Sequence, residues 1–246
     1  MIALNYHKVD GAGGTDIYTV DPAAFALHLK EIREQGKHIV ATDEVLGASV
    51  DEGMVMLHFD DGTEDHAQHV FPLLEANGAK GVFFVSTAKI GQPGYLTITQ
   101  VRELAVAGHA IECHGHSHRR MDRMKPEQLD DELATSIALI REWTGRSPRV
   151  LAPPGGFINR QVIEAGRSHG LGTVRTMRWR SNSMPLGGLL DCFVLTRNTT
   201  STQVRRWLQG RGHLLLKAAY FAKQALRFVM PEGLFLRIRG EICRCK

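Results

Sequence analysis

The sequence predicts an α/β fold built on a parallel sheet or barrel. Short apolar runs with strand character alternate with segments of helical periodicity from residue 2 to residue 175. Repeated strand–helix units of this length favour parallel strands, because each helix carries the chain back across the sheet. In addition, three clusters of unusual residues each follow a predicted strand directly. Functional loops of parallel α/β folds gather at this end of the strands.

The first elements have clear local signals. Residues 2–9 are predicted to form a strand, and residues 22–35 a helix. Asp21 is a suitable cap for this helix, and Pro22 suits its first turn. The apolar residues of the helix recur at helical spacing and define one buried face: Phe25, Leu29 and Ile32.

The later elements continue the alternation. The predicted strands are 55–59, 81–85, 110–113, 149–152 and 171–175, and the predicted helices are 65–76, 99–107, 126–143 and 160–169. The three polar clusters occupy residues 60–62, 114–118 and 153–156, each at the end of a strand. We therefore expect them to lie together at one end of the sheet.

Length and composition are those of an ordinary globular enzyme. The 246 residues are enough for a substantial core in one large or two small domains. Four scattered cysteines do not form the dense pattern of a disulfide framework, which favours a reducing compartment. No segment approaches the roughly 20 apolar residues needed to span a bilayer. The first residues lack a secretory signal, so a cytoplasmic location is expected.

Charge is unevenly distributed along the chain. The net charge is +4, but residues 205–246 carry +8 and the preceding residues −4. Residues 204–230 are predicted to be helical, with basic and apolar side chains interspersed and a break near Gly210 and Gly212. Two interpretations stay open: a helix packed on the same domain, or peripheral contact with an anionic membrane at its inner face. A nucleic-acid partner is not expected, because no recognised binding motif accompanies the charge.

Two adjacent aspartates, Asp60 and Asp61, follow the predicted strand 55–59. Adjacent carboxylates are costly unless a cation or another partner stabilises them. Side chains alternate in direction along extended chain, so one carboxylate can bind a metal while its neighbour faces a reacting water. An ordinary Asp-Asp-Gly turn is the alternative.

Three histidines alternate in the segment 114–118, which follows the strand 110–113. His114 and His118 are four residues apart, so one helical turn would place both imidazoles on the same face. Together with Asp61 they would form a three-ligand site with an open position, as in catalytic metal centres. Zinc is the expected ion, and Co, Ni or Fe also suits these ligands. Cys113 and His116 are competing candidates, although Cys113 is expected to pack in the core.

A glycine-rich bend follows the strand 149–152. Pro154, Gly155 and Gly156 would allow the backbone to approach a ligand closely and to offer N–H groups to an oxyanion.

The order of the three clusters resembles the NodB-type polysaccharide deacetylases, carbohydrate esterase family 4. Their Thr-Phe-Asp-Asp-Gly motif is matched by residues 58–62 with His58 for Thr, and their paired-histidine motif by residues 114–118. The opening Tyr6-His7-Lys8-Val9 resembles the poly-N-acetylglucosamine deacetylase branch. The resemblance implies a distorted (β/α) barrel of about seven strands. It covers residues 1–200 as a deacetylase domain, with 201–246 as a basic helical segment packed on it.

The resemblance also implies a mechanism. Asp61, His114 and His118 would bind a divalent metal, Asp60 would be the general base, and the Gly155 N–H would help to hold the oxyanion. The substrate would be an N-acetylated amino sugar, with lipid-linked, nucleotide-linked and oligomeric glycan precursors as candidate forms.

This chain departs from the family pattern at several positions. Ala152 stands where many members have an arginine that orients the base, and Gly155 replaces a tyrosine of the sugar groove. The late histidine motif that supplies the general acid is not found, which leaves His7, His169 and His213 as candidates. Trp179 falls where the family often has an Asp-Trp pair, without the aspartate.

Three further interpretations concern other histidines and competing functions. His109, His66 and His69 are expected at the surface. A metal amidohydrolase of another barrel family would use the pair His114 and His116. A degenerate carbohydrate-binding domain would explain the departures from the family pattern.

Overall fold

The computed structural model describes residues 1–11, 16–47, 52–183 and 188–212. The strands are β1 (Ile2–Tyr6), β2 (Lys8–Val9), β3 (Thr19–Val20), β4 (His38–Ile39), β5 (Met54–Phe59), β6 (Val82–Val85), β7 (Ala110–Cys113), β8 (Val150–Leu151), β9 (Thr173–Thr176), β10 (Leu189–Asp191) and β11 (Phe193–Val194). The α-helices are α1 (Pro22–Glu34), α2 (Thr42–Gly47), α3 (Phe71–Ala76), α4 (Ile98–Val106), α5 (Pro126–Thr144), α6 (Arg160–Ser168) and α7 (Ser201–Leu208). Residues 213–246, with most of the basic segment and His213, lie outside the described residues.

The predicted parallel α/β barrel is confirmed. Nine strands form the main sheet, in the order β10-β9-β8-β7-β6-β5-β1-β11 with β4 beside β5, and every pairing is parallel. Only Cys192 separates β10 from β11, so the two are halves of one interrupted strand. The first half pairs with β9 and the second with β1, so the path of eight strands forms a nearly closed barrel.

Local signals explain most helix boundaries. The Asp21 side chain accepts a hydrogen bond from the Ala23 N–H and starts α1, as predicted. Gly145, at φ +71°, ends α5 in the left-handed conformation that glycine adopts without strain. The predicted helix 65–76 is divided, however, into a π-helical turn (His66–Val70) and α3. Pro72 in the first turn of α3 cannot donate to the preceding turn, which breaks the regular ladder there.

The predicted first strand is also divided. β1 ends at Tyr6, and β2 pairs with β3 in a separate two-stranded sheet. His7 is the residue at the break, at the carboxyl end of β1. The break turns its side chain out of the strand and toward the end of the barrel where the functional loops lie.

The core has two parts. One lies between the barrel and its helices and includes Tyr6, Phe25, Phe59 and Phe83; the other fills the barrel interior around Met56 and other apolar residues. Helix α7 packs on the part of the core that lies between the barrel and its helices, and its residues Val204, Trp207 and Leu208 are buried there. Arg205 of α7 donates to Glu31 of α1 through two hydrogen bonds, of 2.8 and 2.9 Å. Among the described residues no helix combines the length and apolarity needed to cross a bilayer.

Candidate active site

The two adjacent aspartates at the end of β5 face different surroundings. Asp60 is completely buried, whereas the side chain of Asp61 is 25% exposed. Asp61 has a φ of +76°, a left-handed conformation that is uncommon outside glycine and is typically found at functional sites. This backbone turn directs Asp61 toward the histidine loop and leaves Asp60 directed into the barrel.

Asp61, His114 and His118 converge. The Asp61 Oδ1 lies 3.2 Å from His114 Nε2 and 2.9 Å from His118 Nε2. One possible ligand atom from each of the three residues lies within 4.8 Å of the others. The structure therefore brings together the three residues that the sequence nominated as metal ligands.

The tautomer of His114 supports a cation at this position. Its Nδ1 donates to the Ala152 carbonyl oxygen over 2.5 Å, which directs Nε2 toward the Asp61 carboxylate and leaves Nε2 as the ring nitrogen that can bind a cation. An imidazole nitrogen and a carboxylate oxygen at this distance need a proton or a metal cation between them. A backbone carbonyl that fixes the second nitrogen is also the usual outer partner of a metal-ligating histidine. The residues present therefore fit a divalent metal.

The electrostatics of Asp61 point in the same direction. Burial opposes ionisation of Asp61, yet the interactions with His114 and His118 hold its pKa well below the usual range. The contact with Asp61 raises the pKa of His118. The carboxylate is thus present over the whole physiological pH range, as a metal ligand must be.

The histidine loop is not a helical turn, which corrects the geometry inferred from the spacing of four. Residues 114–118 are irregular, and left-handed backbone at Gly115 (φ +77°) and His118 (φ +60°) brings the two rings to a centroid separation of 5.2 Å. His116 is not in the cluster, because its Nδ1 contacts the Thr87 hydroxyl at 2.9 Å. Cys113 is buried, as predicted.

Asp60 is held on one oxygen only. Its Oδ2 accepts from Arg175 over 2.6 Å and from Asn5 over 3.1 Å, and lies 3.7 Å from His7 Nε2. Its Oδ1 is buried and has no hydrogen-bond partner among the described residues. Burial opposes ionisation, but the Arg175 charge keeps the pKa of Asp60 below its usual value. An ionised carboxylate with one unengaged oxygen is suited to accepting a proton.

The three candidates for the general acid are separated by the structure. His7 lies beside Asp60, with its side chain 19% exposed and its ring 4.8 Å from that of Tyr18. His169 instead pairs with Asp130, 2.6 Å away, at the end of α6. His213 is outside the described residues. Burial lowers the pKa of His7, and the charges of Asp60 and Asp61 oppose that shift.

The glycine-rich bend forms a tight turn after β8. Gly155 and Gly156 both have a φ of +69°. The Gly156 N–H donates to the Pro153 carbonyl over 2.9 Å, which engages it in the turn, and Pro154 has no N–H to offer. Of the three residues nominated for oxyanion binding, Gly155 is thus the one whose N–H role stays a prediction. Gly156 contributes close packing, since a Cβ there would lie 2.8 Å from Met177 Sδ.

A comparison with protein families decides the classification. The family model described as polysaccharide deacetylase matches residues 47–174, just over half of the 246 residues. The chain belongs to the polysaccharide deacetylase family. The matched range contains the aspartate pair, the histidine loop and the glycine-rich bend. It excludes the interpretation as another family of metal amidohydrolase.

Curated relatives cover part of the chain. The Bacillus subtilis protein YxkH is 27% identical over 172 residues, which are 68% of this chain and 61% of YxkH. A peptidoglycan-N-acetylglucosamine deacetylase of Bacillus cereus is 27% identical over 124 residues, 50% of this chain and 56% of the relative. The chain therefore spans only about half to three fifths of the length of these relatives.

The solved structures agree on the fold. The Streptococcus pyogenes deacetylase PplD, determined in complex with acetate, superposes with a TM-score of 0.77 at 19% identity. The likeness covers 83% of this chain and 96% of PplD. At this identity it supports the polysaccharide deacetylase fold that the barrel topology already shows.

One residue of this polysaccharide deacetylase site escaped the sequence analysis. Arg175, on β9, is 1% exposed and supplies the guanidinium that Ala152, directly after the neighbouring strand β8, lacks. It also lies over the Phe84 ring, 5.0 Å from its centroid. The available signal was an arginine inside the otherwise uncharged strand Thr173–Thr176. A buried arginine needs an anionic partner, and only the fold identifies that partner as Asp60.

A second departure from the family pattern has a structural counterpart. A Cβ at Gly155 would lie 2.7 Å from Phe157 Cε2, so the Phe157 ring occupies the space next to the position of the missing tyrosine. The Arg120 guanidinium lies over the Phe157 ring, 3.5 Å from its centroid. Trp179 packs against Phe193 and Trp207, with centroid distances of 5.9 and 5.6 Å.

Two histidines expected at the surface are buried. His66 is 0% exposed and donates from Nε2 to the His7 carbonyl over 2.7 Å, which fixes the backbone of His7. His109 is 2% exposed, accepts from the Gly81 N–H over 3.0 Å and lies between Phe71 and Phe83. His69 keeps the predicted surface position, with its side chain 37% exposed.

Proposed function

We propose that this chain is a metal-dependent carbohydrate N-deacetylase that hydrolyses the N-acetyl amide of an amino sugar. The observation that carries the proposal is the unengaged buried Oδ1 of Asp60, next to the convergent Asp61, His114 and His118. This combination provides a base and a metal site on adjacent residues. Membership in the polysaccharide deacetylase family supports the reaction type.

Asp61, His114 and His118 would hold the metal, and zinc is the ion we propose, with Co²⁺, Ni²⁺ or Fe²⁺ as substitutes. A dication in such a site supplies Lewis acidity, which polarises the acetyl carbonyl and makes water easier to deprotonate. Two imidazoles and one carboxylate leave positions open for substrate and water.

The remaining steps belong to residues of this chain. Asp60 takes a proton from the attacking water on Oδ1, while Arg175 and Asn5 hold Oδ2 and fix the carboxylate plane. His7, 3.7 Å from Asp60, takes this proton over from Asp60 and passes it to the departing amide nitrogen. The Gly155 N–H stabilises the oxyanion. Acetate and the free amino sugar are the products.

An N-acetylglucosamine-containing glycan of the cell envelope is the substrate class that we propose. The name of the Bacillus cereus relative and the His7-bearing segment at the end of β1 support it, the latter being the feature similar to the poly-N-acetylglucosamine branch. A cytoplasmic location, with peripheral contact between the basic segment 201–246 and an anionic membrane, stays a prediction.

The test is acetate release from N-acetyl sugars that are free, nucleotide-linked, lipid-linked and polymeric. Zinc-loaded wild-type protein is expected to release acetate from at least one of them. Asp60→Asn should lower the rate by a factor of about 10²–10⁴ while bound zinc is retained. Asp130→Asn, which changes an exposed aspartate, is the control. Glycan binding without acetate release would instead favour the carbohydrate-binding alternative, and neither zinc binding nor acetate release would overturn the proposal.

A further inference from the structure

Glu132, on α5, is a buried carboxylate directed at the histidine loop. Its Oε1 accepts from the backbone N–H groups of His116 and Ser117, over 2.8 and 2.7 Å. Its Oε2 accepts from the Ser117 hydroxyl over 2.8 Å. Both oxygens therefore bind the residues between the two candidate ligands His114 and His118.

The loop needs such an anchor because it is irregular and has left-handed backbone at Gly115 and His118. His118 has a φ of +60°, a left-handed conformation that is uncommon outside glycine, although histidine, asparagine and aspartate adopt it more often than other residues do. Without Glu132, two consecutive N–H groups would lose their acceptor in a partly buried position. Ser136, one turn further along α5, donates to the Gly115 carbonyl over 3.1 Å. Helix α5 thus holds the loop at three successive residues.

The fit between helix and loop is close. A Cβ at Gly115 would lie 2.8 Å from the Glu132 Oε1 and 2.5 Å from Met121 Cε, so only glycine allows the carboxylate to approach. Glu132 is 8% exposed and forms no ion pair with a lysine or arginine in the described part of the chain. Its charge is therefore compensated by the N–H groups of the loop.

We propose that Glu132 is a positioning residue that sets the metal affinity of this site by holding residues 116 and 117. The proposal rests on the proposed metal site. Partners that orient metal ligands typically change metal affinity by about 10–100-fold when they are removed. Glu132 would do so through the backbone of the loop, without touching a ligand side chain.

The test compares zinc dissociation constants, measured by competition with a chelating dye, and the visible spectrum of the Co²⁺-loaded protein. Glu132→Leu keeps the volume and removes both acceptors, so it should weaken zinc binding by about 10–100-fold and alter the Co²⁺ spectrum. Glu132→Gln keeps one acceptor and should restore most of the affinity. If Glu132 only packed against the loop, the Glu132→Leu variant would keep the zinc affinity and the Co²⁺ spectrum of the wild-type protein.

Glu112→Leu is the matched control. Glu112, on the strand that leads to His114, accepts from the N–H groups of Arg149 and Val150 over 2.7 and 2.8 Å, away from the histidine loop. The zinc dissociation constant of the Glu112→Leu variant should lie within about twofold of the wild-type value. Equal losses in the two leucine variants would overturn the positioning role, since they would indicate a general effect on folding.

Ser117→Ala keeps the inference testable if Glu132→Leu does not fold. It removes only the hydroxyl that Oε2 accepts from, and should weaken zinc binding by about fivefold. Unchanged affinity would overturn the proposal. Wild-type protein that binds no zinc would overturn the proposed function as well, whereas wild-type binding with unaffected Glu132 variants would overturn this inference alone.

Discussion

The two halves of the candidate site are stabilised in different ways. On the base side, Asp60 has its counter-charge inside the protein, because Arg175 and Asn5 bind the same oxygen. On the metal side, Asp61 and two imidazoles converge, with left-handed backbone at Asp61 and His118. The base side is thus complete within the fold, whereas the metal side is arranged for a cation from outside.

This difference separates two kinds of sensitivity. Removal of a group from the base side should cost folding free energy, because it leaves a buried charge without its partner. Removal of a group from the metal side should cost ligand binding and leave the metal-free protein nearly as stable. The three predictions below test this contrast.

The largest expected effect is on the base side. Arg175→Met should lower the free energy of unfolding by about 3–5 kcal/mol, because Asp60 would stay buried without its counter-charge. Adding Asp60→Asn should recover much of the loss, since the uncompensated charge is removed. Urea unfolding of the metal-free proteins measures both. Arg160→Met, which breaks an exposed pair with Glu164, should leave the free energy of unfolding close to that of the wild-type protein. If the variant with both Arg175→Met and Asp60→Asn were no more stable than Arg175→Met alone, the uncompensated charge of Asp60 would not be the cause of the loss.

The intermediate effect is on the metal side. Zinc at about 100 times its dissociation constant should stabilise the wild-type protein by about 2.7 kcal/mol. His118→Asn should abolish this gain, because it removes a ligand while asparagine tolerates the left-handed backbone. Without metal it should change stability by less than about 1 kcal/mol.

His116→Asn is the control for this measurement. Since His116 contacts Thr87 and lies outside the cluster, the variant should keep the zinc-dependent gain. Thermal or urea unfolding with and without zinc measures the zinc-dependent stabilisation of each variant. Loss of the gain in His116→Asn, with retention in His118→Asn, would assign the metal to the other histidine pair.

The smallest effect concerns a polar group on the base side that has no partner. His58, two residues before Asp60, is fully buried, and neither ring nitrogen has a hydrogen-bond partner among the described residues. Burial lowers the pKa of His58 to about 3. Below about pH 6.5 the His58 ring is protonated in the unfolded chain but stays neutral in the folded protein. The free energy of unfolding should therefore fall as the pH drops from 6.5 toward 3.

His58→Leu should remove this dependence. Relative to the difference at pH 7.5, the variant should gain about 2 kcal/mol over wild type at pH 5. Urea unfolding at the two pH values measures the change. If the free energy of unfolding changed equally with pH in the two proteins, the His58 ring would not be the cause of the pH dependence.

The sequence placed the site well where the signal is local. Asp60, Asp61, His114 and His118 stand at the ends of apolar strands, and parallel strands bring such ends together. The spacing of His114 and His118 nevertheless suggested a helical turn, and the structure has an irregular loop instead. Its shape depends on Glu132 and Ser136, which belong to a helix formed later in the chain.

Histidine burial could not be inferred in the same way. His66 and His109 were expected at the surface because a polar residue in a helix turn is usually solvated. Each is buried because one hydrogen bond, to His7 in one case and from Gly81 in the other, satisfies a ring nitrogen. Such single partners are tertiary contacts, and composition does not reveal them.

The sequence by itself determined the parallel α/β barrel and the identity of the base and metal candidates, because strand periodicity and residue type are local properties. Only the tertiary structure decided how Asp60, the candidate base, is held. Arg175 is 115 residues from Asp60 in sequence, yet it lies 2.6 Å away on the barrel interior. The tertiary structure also placed His7 beside Asp60 and His169 beside Asp130. Pairings across a closed barrel depend on strand order and register, which no local pattern specifies.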